Sequence, residues 1–241
     1  MKIKVRPLRK EYEKFLELYP PIVANKALPE WYKKMKIGTH YGSFSGESIL
    51  TAKNCPAIQD IVTTGFIIPI WANFYFQTEY TEDGTKILQK WDITSRIQEN
   101  DAVTEFVNKH GIEQTYGMDL GKNVNNDVLK MKLPYYFDIP DGYNILYTDP
   151  YYHFRKDIRC LSGIVEGDKW GYIQLVFEVL KDNFEIKAGM PLVHALIYKR
   201  EDEKLILDIQ KGTEEEYNKV RDDFVELFTT RKTYKTKNEK N

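Results

Sequence analysis

Apolar and polar positions change period several times along this 241-residue chain, and each change predicts an element. Between Lys10 and Tyr19, Phe15, Leu16 and Leu18 outline a short helix. Pro20 and Pro21 end it, because proline has no amide hydrogen to continue the helical ladder. Pro29 opens a helical turn that runs to Met35, and the Gly- and Ser-rich stretch from Gly38 to Ser48 reads as a loop. Ile61 to Gln77 is the strongest early strand region, with Pro69 marking a bulge or an edge position. Asp83-Gly84 supplies a tight turn, after which Ile87 to Thr94 returns as the second arm of a hairpin. Val103, Phe106 and Val107 have helical spacing within Asp101 to His110, and Gly111 provides a stop. Leu120 to Asp127 is a polar loop.

From Val128 to Ile209 the pattern becomes short strands between turn signals. They cover Lys132 to Asp138, Tyr143 to Tyr147, Arg159 to Val165, Trp170 to Val179 and Pro191 to Tyr198. Such spacing predicts a sandwich or barrel-like β body rather than alternating βαβ units. Gly189 sits where the chain must reverse before the last of these strands. Thr213 and Glu216 form a capping box that opens a helix to about residue 230, and Tyr217, Val220, Phe224, Leu227 and Phe228 predict one buried face. The fold class is therefore mainly β (α+β), with helices near residues 10–19, 102–110 and 213–230. Residues 1–241 read as a single β-rich domain, in which an N-terminal portion, residues 1–127, packs on residues 128–209 before the last helix. No repeat of fixed period is present.

Composition fits a globular chain: 42% hydrophobic, 29% charged and 14% aromatic, with Tyr 17 against Trp 4. A net charge of −1, from 35 basic and 36 acidic residues, gives no field that would draw the chain onto nucleic acid or an anionic membrane. Only Arg231 to Lys240 is locally basic, and it reads as a solvated tail. The start lacks the apolar run of a signal peptide, and Phe66 to Ala72 is too short to span a bilayer, so a soluble, intracellular protein is expected. In that compartment Cys55 and Cys160 are expected to be a reduced, buried pair, and neighbours if both segments lie in one sheet.

Most catalytic signatures fail. The four histidines, His40, His110, His153 and His194, are far apart in sequence, so no metal site is predicted; His153 with Asp157 is the best local pair. Gly42 to Gly46 contains serines without the spacing of a nucleophile elbow. Neither a P-loop nor a dinucleotide-binding glycine turn occurs. Two aromatic and basic groups are binding candidates. Trp31, Tyr32, Lys33 and Lys34 either stack on bases and hold phosphates or pack a ring on the core while the lysines stay wet, and Lys169 with Trp170 forms the second group. Glu166 and Asp168 flank Gly167 in a tight turn; they either orient a water or hold Mg²⁺, or they form an ordinary solvated turn.

Two resemblances follow. Pro21 to Ala24, Leu28 to Lys34, Lys53 to Asp60, Gly65 to Ile70, Pro140 to Tyr143 and Gly189 to Val193 look like an uncharacterised family of tailed-phage and bacterial proteins. This implies a phage-type origin and supplies no activity. Gly163 to Gly171, followed by Tyr172 to Val179 and Phe184 to Val193, resembles the third conserved segment of the trimeric dUTPases, whose fold is a β-clip. Aligned on Gly163 and Gly171, Glu166 stands at that family's water-activating aspartate and Lys169 at its tyrosine, while Asp168 matches the second acidic residue. The family's Ser-Gly phosphate turn is missing, and Arg231 to Asn241 contains no glycine to form its C-terminal arm.

The expected function is therefore a non-enzymatic phage-type binding or structural protein, a virion component acting through an aromatic-rich surface. It needs no cofactor, and it partners itself as a homo-oligomer or other phage proteins. It is made in the host cytoplasm. The alternative is a divergent dUTPase-like protein that binds or hydrolyses nucleotides with Glu166, Asp168 and Mg²⁺.

Overall fold

A computed structural model describes residues 1–39, 49–84, 86–94, 106–118, 128–201 and 205–229. The first elements are β1 (Lys4–Pro7), α1 (Glu13–Leu18), β2 (Ile22–Val23), α2 (Glu30–Lys34), β3 (Gly38–Thr39), β4 (Ile49–Leu50) and α3 (Pro56–Thr63). Next come β5 (Phe66–Pro69), β6 (Asn73–Tyr80), β7 (Lys86–Thr94), β8 (Val107–Lys109), α4 (Ile112–Thr115), β9 (Val128–Lys132) and β10 (Tyr135–Asp138). The last are β11 (Tyr143–Thr148), β12 (Ile158–Cys160), β13 (Gly163–Glu166), β14 (Gln174–Val179), β15 (Phe184–Ile186), β16 (Pro191–Lys199) and α5 (Glu214–Thr229). The protein is mainly β with a few helices, as its patterning predicts.

The chain forms two compact units, Met1–Lys33 with Val62–Arg200, and Lys34–Ile61 with Glu201–Asn241. The larger holds a five-stranded sheet in the order β13-β11-β16-β5-β2, a four-stranded sheet β12-β14-β9-β8, a three-stranded sheet β15-β6-β7 and the pair β1-β10. Neighbouring strands run antiparallel, and strands from before and after residue 128 share sheets. Period-2 alternation buries one face of β6 through Phe74 and Phe76, and one face of β10 through Tyr135 and Phe137. β5 lies between β16 and β2 and is buried along its whole length. Around it Ile68, Ile70, Trp71, Leu133, Phe177 and Leu192 close the core of this unit.

The punctuation residues act as their chemistry requires. Opposite Pro69 the β16 register shifts between Pro191 and Val193, which is the bulge that proline predicts. Gly84 takes a φ of +82° in the β6–β7 hairpin, and Gly189 one of +87° before β16. Gly65 has a φ of +78°, and a side-chain carbon there would sit 2.1 Å from the Ala195 carbonyl oxygen.

Four expectations are corrected. Pro56 opens α3, so Ile61 to Thr63 are helical and the strand region begins at Phe66; proline at a first helical position sacrifices no ladder bond. Of the helix expected over 101–110, residues 101–105 lie outside the described residues, and Val107–Lys109 form β8 by pairing with β9. A strand partner overrides helical spacing once its backbone groups are offered. The β body ends at Lys199, and Leu205 to Ile209 are exposed without strand structure. Both sulfurs are free, but Cys55 is only half-buried and immediately precedes α3, so it is not a sheet residue as Cys160 is. The expectations for His40, for Leu120 to Asp127 and for the tail from Arg231 fall wholly or mostly outside the described residues. Among the described residues no helix is long and apolar enough to cross a membrane.

Gly65 and Gly84 share a backbone conformation in different surroundings, and this yields a paired test. Gly84→Ala should cost about 1 kcal/mol, since the added carbon meets nothing within 4 Å among the described residues. Gly65→Ala should cost about 3 kcal/mol or more, because strand β16 must also give way. Equal losses in urea unfolding would show that the close approach to Ala195 carries no energy.

Candidate functional site: an aromatic loop

The acidic turn after β13 is internally neutralised. Asp168 accepts hydrogen bonds from the Gly142 amide at 2.8 Å and from Arg200 Nη2 at 2.6 Å and Nη1 at 3.2 Å. Arg200 first, and then the Gly142 amide, hold its carboxyl below the usual carboxylate range. Glu166 pairs with Lys169 and lies 3.4 Å from Arg200. These bonds tie the turn to the start of β11 and the end of β16. Both carboxylates face cations, Asp168 the Arg200 guanidinium and Glu166 the largely exposed Lys169. Among the described residues no group of three or more His, Cys, Asp or Glu side chains converges. Trp170, the other member of this candidate, is 64% exposed.

Between β11 and β12 runs the loop from Asp149 to Asp157, stapled at both ends. The Asp149 carboxylate accepts from the Cys160 amide at 2.7 Å, and Asp157 accepts from the Ile158 amide at 2.7 Å. Arg155 donates to Asp157 at 2.8 Å and to the Pro191 carbonyl at 3.0 Å. Asp157 is thus taken by Arg155 rather than by His153. The arginine wins because its planar fork matches a carboxylate.

Within these staples Tyr152 and Phe154 adopt positive φ, +61° and +50°. Each costs an L-residue on the order of 1–2 kcal/mol, and such strain persists only where the surroundings enforce it. Its effect is to gather rings. Trp31 Nε1 donates to the Tyr152 carbonyl at 2.6 Å. The Trp31 ring lies 5.8 Å from Phe154, 6.3 Å from Tyr152 and 5.6 Å from Tyr32. Tyr152 and Phe154 meet edge-on at 6.0 Å. Tyr32 is buried and anchors the group, whereas Phe154 stands 67% exposed.

Beneath the loop the Tyr151 ring contacts His194 at 5.4 Å. His194 is buried, and its Nε2 lies 2.7 Å from the Thr64 carbonyl, which can only accept, so this nitrogen carries the proton. Its Nδ1 has no hydrogen-bond partner among the described residues. Burial lowers the pKa of His194; burial and then His194 itself lower that of His153, with Arg155 and Lys33 adding to the effect. Burial also pushes the Cys160 thiol up to about 12, which leaves no reactive thiolate.

Of the residues singled out in the sequence, Trp31 and Tyr32 enter this cluster. Lys33 pairs with Glu30 at 2.7 Å, and Lys34 is exposed at the end of α2. Tyr152 and Phe154 are not picked out by sequence motifs. Their signal is the aromatic run Tyr151 to Phe154 between two aspartates. No family model and no curated protein sequence matches the chain. Chemically, the cluster offers ring faces and edges beside Lys33 and Arg155, each of which has an acidic partner.

The two histidines predict the pH response. A histidine with a depressed folded pKa binds fewer protons folded than unfolded. Its contribution is complete above the unfolded value of about 6.5 and is lost as pH falls below it. The urea midpoint should therefore be lower at about pH 5.5 than at about pH 7.5, and the change should shrink in His194→Gln. An identical pH response in that variant would locate the effect elsewhere.

Proposed function

We propose that this protein acts by binding rather than by catalysis, as a phage-type structural or binding component carried in the virion. Its contact surface is the Trp31, Tyr152 and Phe154 cluster. The observation that carries this reading is the pair of strained aromatic residues, which hold Phe154 out over Trp31 at a cost to stability. Aromatic anchors dominate contact energetics, and evolution retains strain where function requires it. The sequence resemblance to tailed-phage proteins supplies the setting. The nucleotide alternative gains nothing from the turn at Glu166 and Asp168, whose carboxylates are already ion-paired.

Three measurements test this. Phe154→Gly relieves the left-handed strain, so its stability should be unchanged or higher by about 1 kcal/mol. Mass spectrometry of purified particles should find the parent chain and at least tenfold less of Phe154→Gly, on the order of the loss of one anchor. A chain absent from particles, or a variant incorporated as well as the parent, would sink the proposal. A nucleotide panel with and without Mg²⁺ should give no thermal shift, where a ligand at 100 times its Kd would add about 2.7 kcal/mol.

A further inference from the structure

Two sheets of the larger unit end on strands that follow one another in the chain, and their outer edges are finished differently. β12 closes the four-stranded sheet and β13 the five-stranded one. Leu161 donates to the Val176 carbonyl, so the alternation of an antiparallel ladder turns the amides of Ile158 and Cys160 away from β14. Both are capped by aspartates: Asp157 accepts from Ile158 and Asp149 from Cys160, each at 2.7 Å. An edge finished in this way has few donors left for another strand.

β13 carries no such cover. Gly167 donates to the Tyr143 carbonyl at 2.9 Å, which sets Val165 and Gly163 in bonding register with β11. The backbone groups of Ile164 and Glu166, and by the same alternation those of Ser162, then point outward. The Ile164 amide and carbonyl and the Glu166 amide have no hydrogen-bond partner among the described residues. Ile164 is 61% exposed, and a side-chain carbon added at Gly163 would meet nothing within 4 Å. The strand, Gly-Ile-Val-Glu, also lacks the proline or lysine that commonly guards an edge. Tyr217, Val220 and Phe224 of α5 are exposed too, which corrects the expectation of a buried face there. A helix bonds its own backbone, however, and offers no comparable ladder.

We propose that β13 is a self-association edge. Two copies of the chain pair β13 antiparallel about a twofold axis between their Ile164 residues, which joins two five-stranded sheets into one. Each Ile164 exchanges both backbone hydrogen bonds with its counterpart, and each Glu166 amide donates to the Ser162 carbonyl of the other copy. Val165 of one copy faces the open Gly163 of the other, and no like charges are opposed. A register centred on Glu166 would instead set glutamate against glutamate. A second copy suits the edge better than a free peptide, because its strand is already ordered against β11. A flexible segment would lose conformational freedom at every residue for the same few hydrogen bonds. None of these residues belongs to the aromatic loop, so the two readings can fail separately.

Light scattering on the full chain from about 10 to about 300 micromolar tests it. The mass should rise toward twice the 28.4 kDa of one chain. Ile164→Pro removes the outward amide hydrogen and leaves the β11 ladder whole, since proline is tolerated on the open side of an edge strand. It should weaken the pair more than tenfold with circular dichroism unchanged, and Phe154→Gly should leave the mass unaltered. Cross-linking reads the register independently. The two Ile164 Cα atoms should lie about 5.5 Å apart, within reach of a disulfide, and the two Glu166 Cα atoms about 13 Å apart or more. Ile164→Cys should therefore oxidise to a covalent dimer at least tenfold faster than Glu166→Cys, with the parent chain setting the background from its own thiols. A parent chain at the monomer mass throughout would overturn the proposal and leave the edge to an extended segment of another protein. A pair that withstands Ile164→Pro with its fold intact, or equal cross-linking at the two positions, would overturn it too.

Discussion

Strand β16 is hydrogen-bonded along both edges, to β11 on one side and β5 on the other, and the larger unit depends on that double pairing. Its start supplies the Pro191 carbonyl that receives Arg155 and so holds the aromatic loop. Its middle carries His194 beneath Tyr151, and the Ala195 carbonyl that admits only glycine at position 65. Its end delivers Arg200 to the acidic turn. A register slip of one residue would exchange the faces of every side chain on the strand, so these contacts would be lost together.

The half-buried charges of this unit are spent on structure. Asp168 with Arg200 and Glu178 with Arg159 each join segments that the chain brings together only on folding, and Asp157 holds Arg155, two residues away, toward the Pro191 carbonyl. Breaking such a pair leaves the remaining charge without its partner, which costs far more than an exposed surface bridge contributes. The Arg200 clasp on Asp168 fixes the acidic turn to the end of β16.

Aromatic residues divide into two populations for a related reason. Trp71, Phe137 and Phe177 fill the sheet core, where burial of their rings is the main driving force. Trp31 meets Tyr152 and Phe154 on a loop where both of these residues take positive φ. Packing alone would favour relaxed backbone with Phe154 turned inward.

Elements whose cause is local are legible in the residues alone. The Asp83-Gly84 hairpin, the bulge opposite Pro69, the reversal at Gly189 and the capping box at Thr213 rest on the backbone freedom or hydrogen bonding of one or two residues. Mainly β architecture follows from the spacing of short apolar runs. The remainder depends on contacts that exist only after folding. Val107 to Lys109 form a strand because β9 offers its edge, although their spacing is helical. Glu166 and Asp168 form a clasp because β16 ends with Arg200 beside them, more than thirty residues later in the chain. Trp31 meets Tyr152 and Phe154 across about 120 residues. The α5 stripe reads as buried by periodicity, yet periodicity states only that a face is apolar; which surface covers it is fixed by what folding brings near.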